Sequence, residues 1–248
     1  MATIAENKFY YDNFDWRYSG EFWANRWGGS EMQWFGTILP RIHALLPAPV
    51  ILEIGPGQGR ISRFLETFCE RLYLVDFCEE CVEGCKKRLG SSPKVECFLN
   101  DGRSLGDIPD GSVDFGFSFF SLVHADHETI SGYLTDLARA LKPTGMAFLH
   151  HSNAGECLTG DDGEDTEMHD YRDTSVDAAS FAALASQARL TVRSQELFAW
   201  EEDMPMTDCF SIVGRAALRI GESAKLFRNS RFPEEVKRLR ELSAAYAV

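Results

Sequence analysis

Residues 50–60 of this 248-residue chain read VILEIGPGQGR, a mainly apolar run that ends in three closely spaced glycines. The apolar part predicts a buried strand. The glycines allow a sharp turn into a helix, at which a ligand can approach the backbone closely. Glu53 adds a carboxylate next to that turn. Because the pyrophosphate of a dinucleotide prefers an open helix N-terminus, the carboxylate favours a ligand with a cationic portion instead.

Short apolar runs alternate with helical patterns after this segment, which is typical of a parallel α/β sheet. The pattern predicts further strands at residues 72–75, 95–99, 113–118, 146–150, 191–197 and 209–213. It predicts helices at residues 61–68, 78–89, 130–141 and 180–188. Because ligands of such sheets bind outside the carboxyl ends of the strands, residues that follow the strands are the candidates for a binding site.

Two acidic residues follow the second and third predicted strands. Asp76 ends the second strand, 17 residues after Gly59, where a carboxylate can accept hydrogen bonds from both hydroxyls of a ribose. Asp101 lies in an Asn-Asp-Gly turn after the third strand, where it can accept a hydrogen bond from the exocyclic amine of adenine. Each residue alone is compatible with an ordinary turn. Together with the glycine turn they predict a cofactor that contains a nucleoside.

The segment from about residue 50 to residue 151 resembles the class I S-adenosylmethionine-dependent methyltransferases. The resemblance is carried by residues 53–59, Asp76 and residues 100–102, 114–118 and 141–145. It implies a Rossmann-like α/β fold, with a seven-stranded, mostly parallel sheet, helices on both faces and an antiparallel last strand. It also implies that S-adenosyl-L-methionine is the cofactor and that it is held by Glu53, Gly55, Gly57, Gly59, Asp76, Phe77, Asp101, Gly102 and Ser118.

The charge of the chain disfavours polyanionic partners. There are 25 Lys and Arg residues against 38 Asp and Glu residues, a net charge of −13. Such a chain is repelled by nucleic-acid backbones and by anionic membrane surfaces. No run approaches the roughly 20 apolar residues that a membrane span requires. A small-molecule methyl acceptor, without nucleic acid or membrane, is therefore the predicted partner.

Seven cysteines, an odd number, indicate free thiols rather than a secreted disulfide framework. The first residues also lack the pattern of a secretory signal, so a cytoplasmic location is expected. Cys78, Cys81 and Cys85 are clustered enough to raise the alternative of a metal site. Their spacing also places them on one face of a helix, as core residues are, and this interpretation is favoured over metal ligation.

Residues after the fourth predicted strand bear on the methyl acceptor. They read Ser118-Phe119-Phe120-Ser121. Within the resembled family, other motifs at this position mark the amino-methylating nucleic-acid enzymes, the cytosine-C5 enzymes and the magnesium-dependent catechol enzymes, and this segment does not match them. No metal is expected. The predicted reaction is O-methylation of a sugar or natural-product hydroxyl, with His124 or His151 as the base. The alternatives are small-molecule N-methylation and a non-catalytic scaffold that binds the cofactor.

Three further residues are candidates for substrate contact: Trp34, Asn153 and Arg172. Arg172 is the single base among nine acids in residues 156–177, so it can also be the counter-ion that keeps this acidic stretch folded. The glycines of the stretch predict a mobile loop beside the site, and its charge suggests a gate or an acceptor site that tolerates cations.

The chain divides into three predicted parts. Residues 1–46 form an aromatic, helical extension, which is a candidate lid over the site and also a candidate arm for contact between two copies of the chain. This part ends in a predicted amphipathic helix at residues 34–46. Residues 47–215 form the methyltransferase core with the acidic loop, and residues 216–248 form a helical tail.

Overall fold

A computed structural model describes residues 4–157, 172–219 and 221–247, without the side chains of residues 17–19. Within these ranges eight strands form one sheet in the order β3-β2-β1-β4-β5-β7-β6-β8. The strands are β1 (Val50–Ile54), β2 (Arg71–Asp76), β3 (Val95–Leu99), β4 (Val113–Ser118), β5 (Leu141–Ser152), β6 (Thr191–Phe198), β7 (Asp208–Gly214) and β8 (Lys225–Asn229). All seven predicted strands are present, and β8 is added at one edge.

The directions of the strands follow the prediction of a mostly parallel sheet. Of the described pairings, those of β7 with β5 and with β6 are antiparallel, and the others are parallel. The pairing of β8 with β6 draws part of residues 216–248 into the main sheet. The predicted helical tail therefore contains a strand that its sequence pattern did not indicate.

Helices cover both faces of the sheet. They are α1 (Ile4–Asp12), α2 (Ser30–Gln33), α3 (Leu39–Ile42), α4 (Ser62–Leu65), α5 (Glu79–Leu89), α6 (His127–Ala140), α7 (Ala154–Cys157), α8 (Ala178–Gln187) and α9 (Phe232–Ala245). The neighbours Ile51 and Leu52 of β1 point to opposite faces, as successive strand residues must. Leu52 packs in one buried cluster with α6 and α8, and Ile51 packs in another with α4, α5 and α9.

The N-terminal extension and the last helix, α9, meet on the second of these faces. Arg41 donates hydrogen bonds to Glu196 of β6 at 2.7 and 2.8 Å and to Glu235 of α9 at 2.9 and 3.0 Å. The helix predicted at residues 34–46 is broken: residues 34–38 are π-helical, α3 follows, and a short 3₁₀ turn ends the segment. The last helix packs through Phe232 and Val236, which are buried, so it is docked on the core rather than solvated all round.

The structure confirms that the clustered cysteines are core residues and that the thiols are free. Cys81 and Cys85 are buried on one face of α5 together with Val82 and Leu89, and all seven cysteines are free thiols. Of the acidic stretch, residues 158–171 lie outside the described part of the chain, and so does the predicted mobile loop. No helix among the described residues is long and apolar enough to cross a membrane.

Candidate functional site

A cavity of about 1270 Å³ opens at the carboxyl ends of β1, β2 and β4. The volume exceeds the roughly 300–1,000 Å³ of most small-molecule sites, so the cavity has room for two ligands side by side. Its walls come from the glycine turn, the end of β2, the loop after β4 and the aromatic N-terminal segment. Eight of the predicted site residues line it: Glu53, Gly55, Gly57, Asp76, Phe77, Gly102, His124 and Arg172.

The glycine turn needs its glycines for two separate reasons. Gly55, Gly57 and Gly59 have φ values of +68°, +56° and +77°, a left-handed conformation that disfavours any residue with a Cβ atom. Space is the second reason. A Cβ atom on Gly55 would lie 1.9 Å from Oγ of Ser121, so the loop after β4 packs directly on this turn. Gly59 shapes the turn without lining the cavity.

Two buried carboxylates flank the turn. Glu53 accepts a hydrogen bond of 2.5 Å from Oγ of Ser62, and burial raises the pKa of Glu53 to about 7. Asp76 accepts hydrogen bonds from the backbone N–H groups of Gly57 at 3.2 Å and Cys78 at 2.9 Å, while burial raises its pKa to about 6. A cationic or hydrogen-bond-donating ligand would therefore stabilise the ionised forms of both carboxylates.

Only part of the predicted Asn-Asp-Gly turn at residues 100–102 reaches the cavity. Gly102 lines the cavity with Phe77, whereas Asp101 does not. One oxygen of the Asp101 carboxylate accepts from the backbone N–H groups of Arg103 and Ser104 and from Oγ of Ser104, at 2.8 to 2.9 Å. These bonds close a local turn and lower the pKa of Asp101. Asp101 is thus held by its own loop and not brought to the cavity.

His124 lies at the cavity wall on the side of the loop after β4. It ends a short 3₁₀ turn, Leu122–His124, and its ring lies 6.3 Å from that of Tyr11 in a tilted arrangement. The backbone oxygen of His124 accepts a hydrogen bond of 3.3 Å from Asn7. Helix α1 therefore lies across this part of the cavity, and Tyr11 adds a hydroxyl whose pKa burial raises well above its usual value.

The aromatic extension covers the cavity. Six rings from residues 10–23 form a contiguous cluster along its wall: Tyr10, Tyr11, Phe14, Trp16, Phe22 and Trp23. The segment is tied to the core by Arg60, which is buried and donates to Oγ of Ser30 at 3.3 Å and to the side-chain oxygen of Gln33. The segment therefore lines the cavity, and its roles as a lid and as an arm between two copies of the chain stay predictions.

Four other predicted residues lie away from the cavity. His151 is fully buried, stacks on Phe181 with ring centroids 3.8 Å apart and contacts Ser211 at 2.8 Å. Trp34 is buried in the core and stacked on Phe64. The other two are buried hydrogen-bonding residues: Asn153, bonded to the backbone of Met206 and Ala178, and Ser118, bonded to the backbone oxygen of Ile54. The structure does not bring these four to the cavity.

Arg172 is paired with an acid outside the acidic stretch. Its Nε donates to Asp208 of β7 at 3.0 Å, and a second nitrogen of the guanidinium lies 3.0 Å from the same carboxylate. Asp208 is fully buried and also contacts Nε2 of His150 at 2.8 Å. Asp208 is not recognisable as a site residue from the sequence, because it meets His150 and Arg172 over separations of 58 and 36 residues along the chain.

Residues 52–149 match a family model described as a methyltransferase domain. The chain is 36% identical over 61 residues to a probable ribosomal RNA small subunit methyltransferase A of Methanopyrus kandleri, which covers 25% of this chain and 22% of that protein. It is 26% identical over 118 residues to phosphoethanolamine N-methyltransferase 1 of Triticum aestivum, which covers 46% of this chain and 24% of that protein. The chain therefore matches less than a quarter of the length of either relative.

A solved structure of an S-adenosylmethionine-dependent methyltransferase from Clostridium acetobutylicum shares the fold, with a TM-score of 0.58 and 12% identity over 86% of this chain and 97% of that one. The sheet order, the glycine turn and the acid at the end of β2 agree with the S-adenosylmethionine-dependent methyltransferase domain that the sequence resembles. Over residues 52–149 the chain is therefore similar to methyltransferase domains, and the solved structure shows that it shares their fold.

The residues at this end of the cavity fit S-adenosylmethionine. The turn at Gly55 and Gly57 forms a cradle that side chains would fill. Glu53 and Asp76 present carboxylates suited to a cationic amino-acid portion and to ribose hydroxyls. Within the described residues, no three metal-ligating side chains are grouped as a metal site.

Proposed function

We propose that this protein transfers a methyl group from S-adenosylmethionine to a hydroxyl of a small molecule, such as a sugar or another natural product, with His124 as the base. The observation that carries the proposal is the shared cavity. The glycine turn and Asp76 line it together with His124, under an aromatic cover. A cofactor held at the turn and an acceptor held at His124 would occupy the same cavity.

Bound S-adenosylmethionine supplies an electrophilic methyl group on a sulfonium ion. The residues of the chain then have to hold the acceptor hydroxyl, remove its proton and keep water out. Asp76 and Phe77 lie where they can hold the nucleoside, and the ring cluster of residues 10–23 reduces the access of water. Holding both reactants in one orientation is itself a large part of the catalysis of a two-substrate reaction.

His124 is the group best suited to accept the proton. A neutral imidazole carries a lone pair on one ring nitrogen, which can accept the proton of a hydroxyl. Its neighbour Tyr11 is less suited, since burial raises the pKa of Tyr11 and keeps its hydroxyl protonated. Tyr11 can instead donate a hydrogen bond to the acceptor oxygen. We therefore assign the base to His124 rather than to His151, which lies off the cavity.

The small-molecule acceptor is supported by charge and by shape. A net charge of −13 opposes binding to a nucleic-acid backbone, and the rings of the aromatic segment line one wall of the cavity. Arg172 lines this cavity, but its charge is offset by Asp208. The pair therefore favours an acceptor without a strong negative charge. The cytoplasmic location and the contact between two copies through residues 1–46 remain predictions of the sequence.

A second candidate is N-methylation of a small amine. It is favoured by the similarity to phosphoethanolamine N-methyltransferase 1 of Triticum aestivum over 46% of this chain. An amine that is neutral near pH 8 needs little help from a base, so N-methylation would depend weakly on His124. The two candidates are therefore separated by the effect of the same substitution.

The test is methyl transfer from isotope-labelled S-adenosylmethionine to a panel of sugars, hydroxylated natural products and amines, followed by mass spectrometry. We expect an O-methylated product, and a loss of rate of about 10²-fold or more in His124→Gln. His127→Gln is the matched control, because His127 is exposed and does not line the cavity. Methylation of an amine with little dependence on His124 supports the second candidate. Cofactor binding without transfer to any acceptor class supports a scaffold and contradicts the proposal.

A further inference from the structure

A buried chain of hydrogen bonds joins two points on the cavity wall. It begins at the backbone N–H of Phe120, which lies 3.3 Å from Nδ1 of His150. From Nε2 of His150 it continues over 2.8 Å to Asp208 and from Asp208 over 3.0 Å to Nε of Arg172. Phe120 and Arg172 line the cavity, whereas His150 and Asp208 are fully buried behind it.

The first link fixes the protonation of His150. The N–H of Phe120 can only donate, so Nδ1 must carry a lone pair and Nε2 must carry the proton that is donated to Asp208. Burial lowers the pKa of His150 and favours this neutral form. Arg172 and His150 together hold the pKa of Asp208 below its usual range, despite its burial. The chain of hydrogen bonds therefore has one arrangement of protons, with a neutral imidazole and an ionised carboxylate.

The anchored backbone is strained. Phe120 has a φ of +64°, in the left-handed region that a bulky aromatic residue rarely adopts. Its ring is held by stacking on Trp200 at 5.2 Å and by an edge contact with Trp27 at 6.2 Å. Such a conformation persists only where the surroundings hold it in place, and such positions are concentrated at functional sites.

The strained turn at Phe120 sets the next residue against the cofactor cradle. Ser121 packs so closely on Gly55 that a Cβ atom there would lie 1.9 Å from its Oγ. If Phe120 relaxed to a negative φ, the chain would leave it in another direction and Ser121 would shift away from Gly55. The shape of the cradle therefore depends on the bond that Phe120 makes with His150.

We propose that His150 and Asp208 are positioning residues, which hold the strained loop after β4 against the glycine turn and hold Arg172 at the cavity wall. This inference rests on the proposed function, since the cradle is taken to bind the cofactor. Neither residue touches the cavity, and both act through the residues that they hold.

The test separates the two nitrogens of His150 by substitution. In His150→Asn the side-chain oxygen replaces Nδ1 and can still accept from Phe120. In His150→Gln the amide nitrogen replaces Nε2 and can donate to Asp208, but the acceptor for Phe120 is lost. By calorimetry with S-adenosylhomocysteine, we expect about tenfold weaker binding in His150→Gln and a change of about twofold or less in His150→Asn, which corresponds to one hydrogen bond.

Stability is measured on the same samples, because both substitutions are in the core. Ser211→Ala is the control: it removes a buried hydrogen bond to His151 on the same two strands, away from the cavity, and should lower stability without changing the affinity. A ¹⁵N spectrum of the histidine rings gives an independent readout. We expect His150 to be neutral with its proton on Nε2.

Three results overturn the inference. Equal affinities in the two His150 variants, with a parent protein that binds, would leave the proposed function standing and refute the positioning role. A proton on Nδ1 of His150 would refute the arrangement of the hydrogen bonds directly. A parent protein that does not bind S-adenosylhomocysteine would refute the proposed function, and the positioning role would be lost with it.

Discussion

Replacement of Gly55 by alanine tests the contact between the glycine turn and the loop after β4. Two costs are expected. A non-glycine residue at φ +68° costs about 1–2 kcal/mol. The added Cβ atom also falls 1.9 Å from Oγ and 2.4 Å from Cβ of Ser121. Forcing a methyl group into such a packed place costs about 1–3 kcal/mol more. Gly55→Ala should therefore lower the free energy of unfolding by roughly 2–5 kcal/mol.

The matched control is Gly106→Ala. Gly106 has a similar φ of +57°, but no atom lies within 4 Å of its Cβ position. This variant carries the backbone cost alone, about 1–2 kcal/mol. Urea denaturation of both variants and the parent, followed by circular dichroism, gives the three free energies, and the difference between the variants isolates the contact with Ser121.

The double variant Gly55→Ala/Ser121→Gly completes the test, since it removes the atoms that would collide. We expect it to recover most of the contact cost relative to the sum of the single variants. If Gly55→Ala is no less stable than Gly106→Ala, the loop after β4 does not pack on the glycine turn as described. The argument for a cofactor cradle closed by this loop would then fail.

Three further changes have defined outcomes. Burial raises the pKa of Glu53 from 4.5 to about 7, so the folded state keeps a proton that the unfolded state loses and stability falls as pH rises through this window. As pH rises from 4.5 to 8, the free energy of unfolding of Glu53→Gln should therefore increase by up to about 3 kcal/mol relative to that of the parent. A difference in unfolding free energy that does not change with pH contradicts this. Arg60→Met leaves the side-chain oxygen of Gln33 unpaired, at a cost of about 1–3 kcal/mol. Limited proteolysis should then become faster in residues 4–33, and an unchanged rate would show that Arg60 does not hold the N-terminal segment on the core. Arg41→Lys loses paired bonds to two carboxylates and should cost about 1–3 kcal/mol in denaturation, whereas a cost near zero would mean that these ion pairs do not fasten the chain ends.

The cofactor end of the site could be predicted because its signals are local. Glycines that must adopt positive φ stand in the sequence as glycines, and an acid at the end of a parallel strand is carried to the edge where such sheets bind ligands. Gly55 and Asp76 line the cavity for these reasons. Asp101 follows a strand in the same way, but its own turn supplies three hydrogen-bond donors that hold its carboxylate.

The acceptor end depends on contacts between distant residues, which a single sequence does not reveal. His150 and His151 are adjacent, and their directions are set by the pleat of β5 against β7. His150 then bonds to Asp208 and His151 to Ser211, so neither reaches the cavity. A tryptophan such as Trp34 is compatible with either a core position or a substrate-contacting position. The structure places it in the core, stacked on Phe64. The strand β8 was missed because its residues are mostly exposed and show no alternation.

The most direct test of the cofactor site is calorimetry with S-adenosylmethionine on the parent protein and on Asp76→Asn. Asp76 lines the cavity at the end of β2, and its carboxylate would accept hydrogen bonds from the ribose. We expect the parent to bind one equivalent and the variant to bind about ten- to one-hundredfold more weakly, as the loss of hydrogen bonds to a charged group predicts. A parent that does not bind, or a folded variant that binds with the affinity of the parent, would contradict the assignment of this cavity to the cofactor.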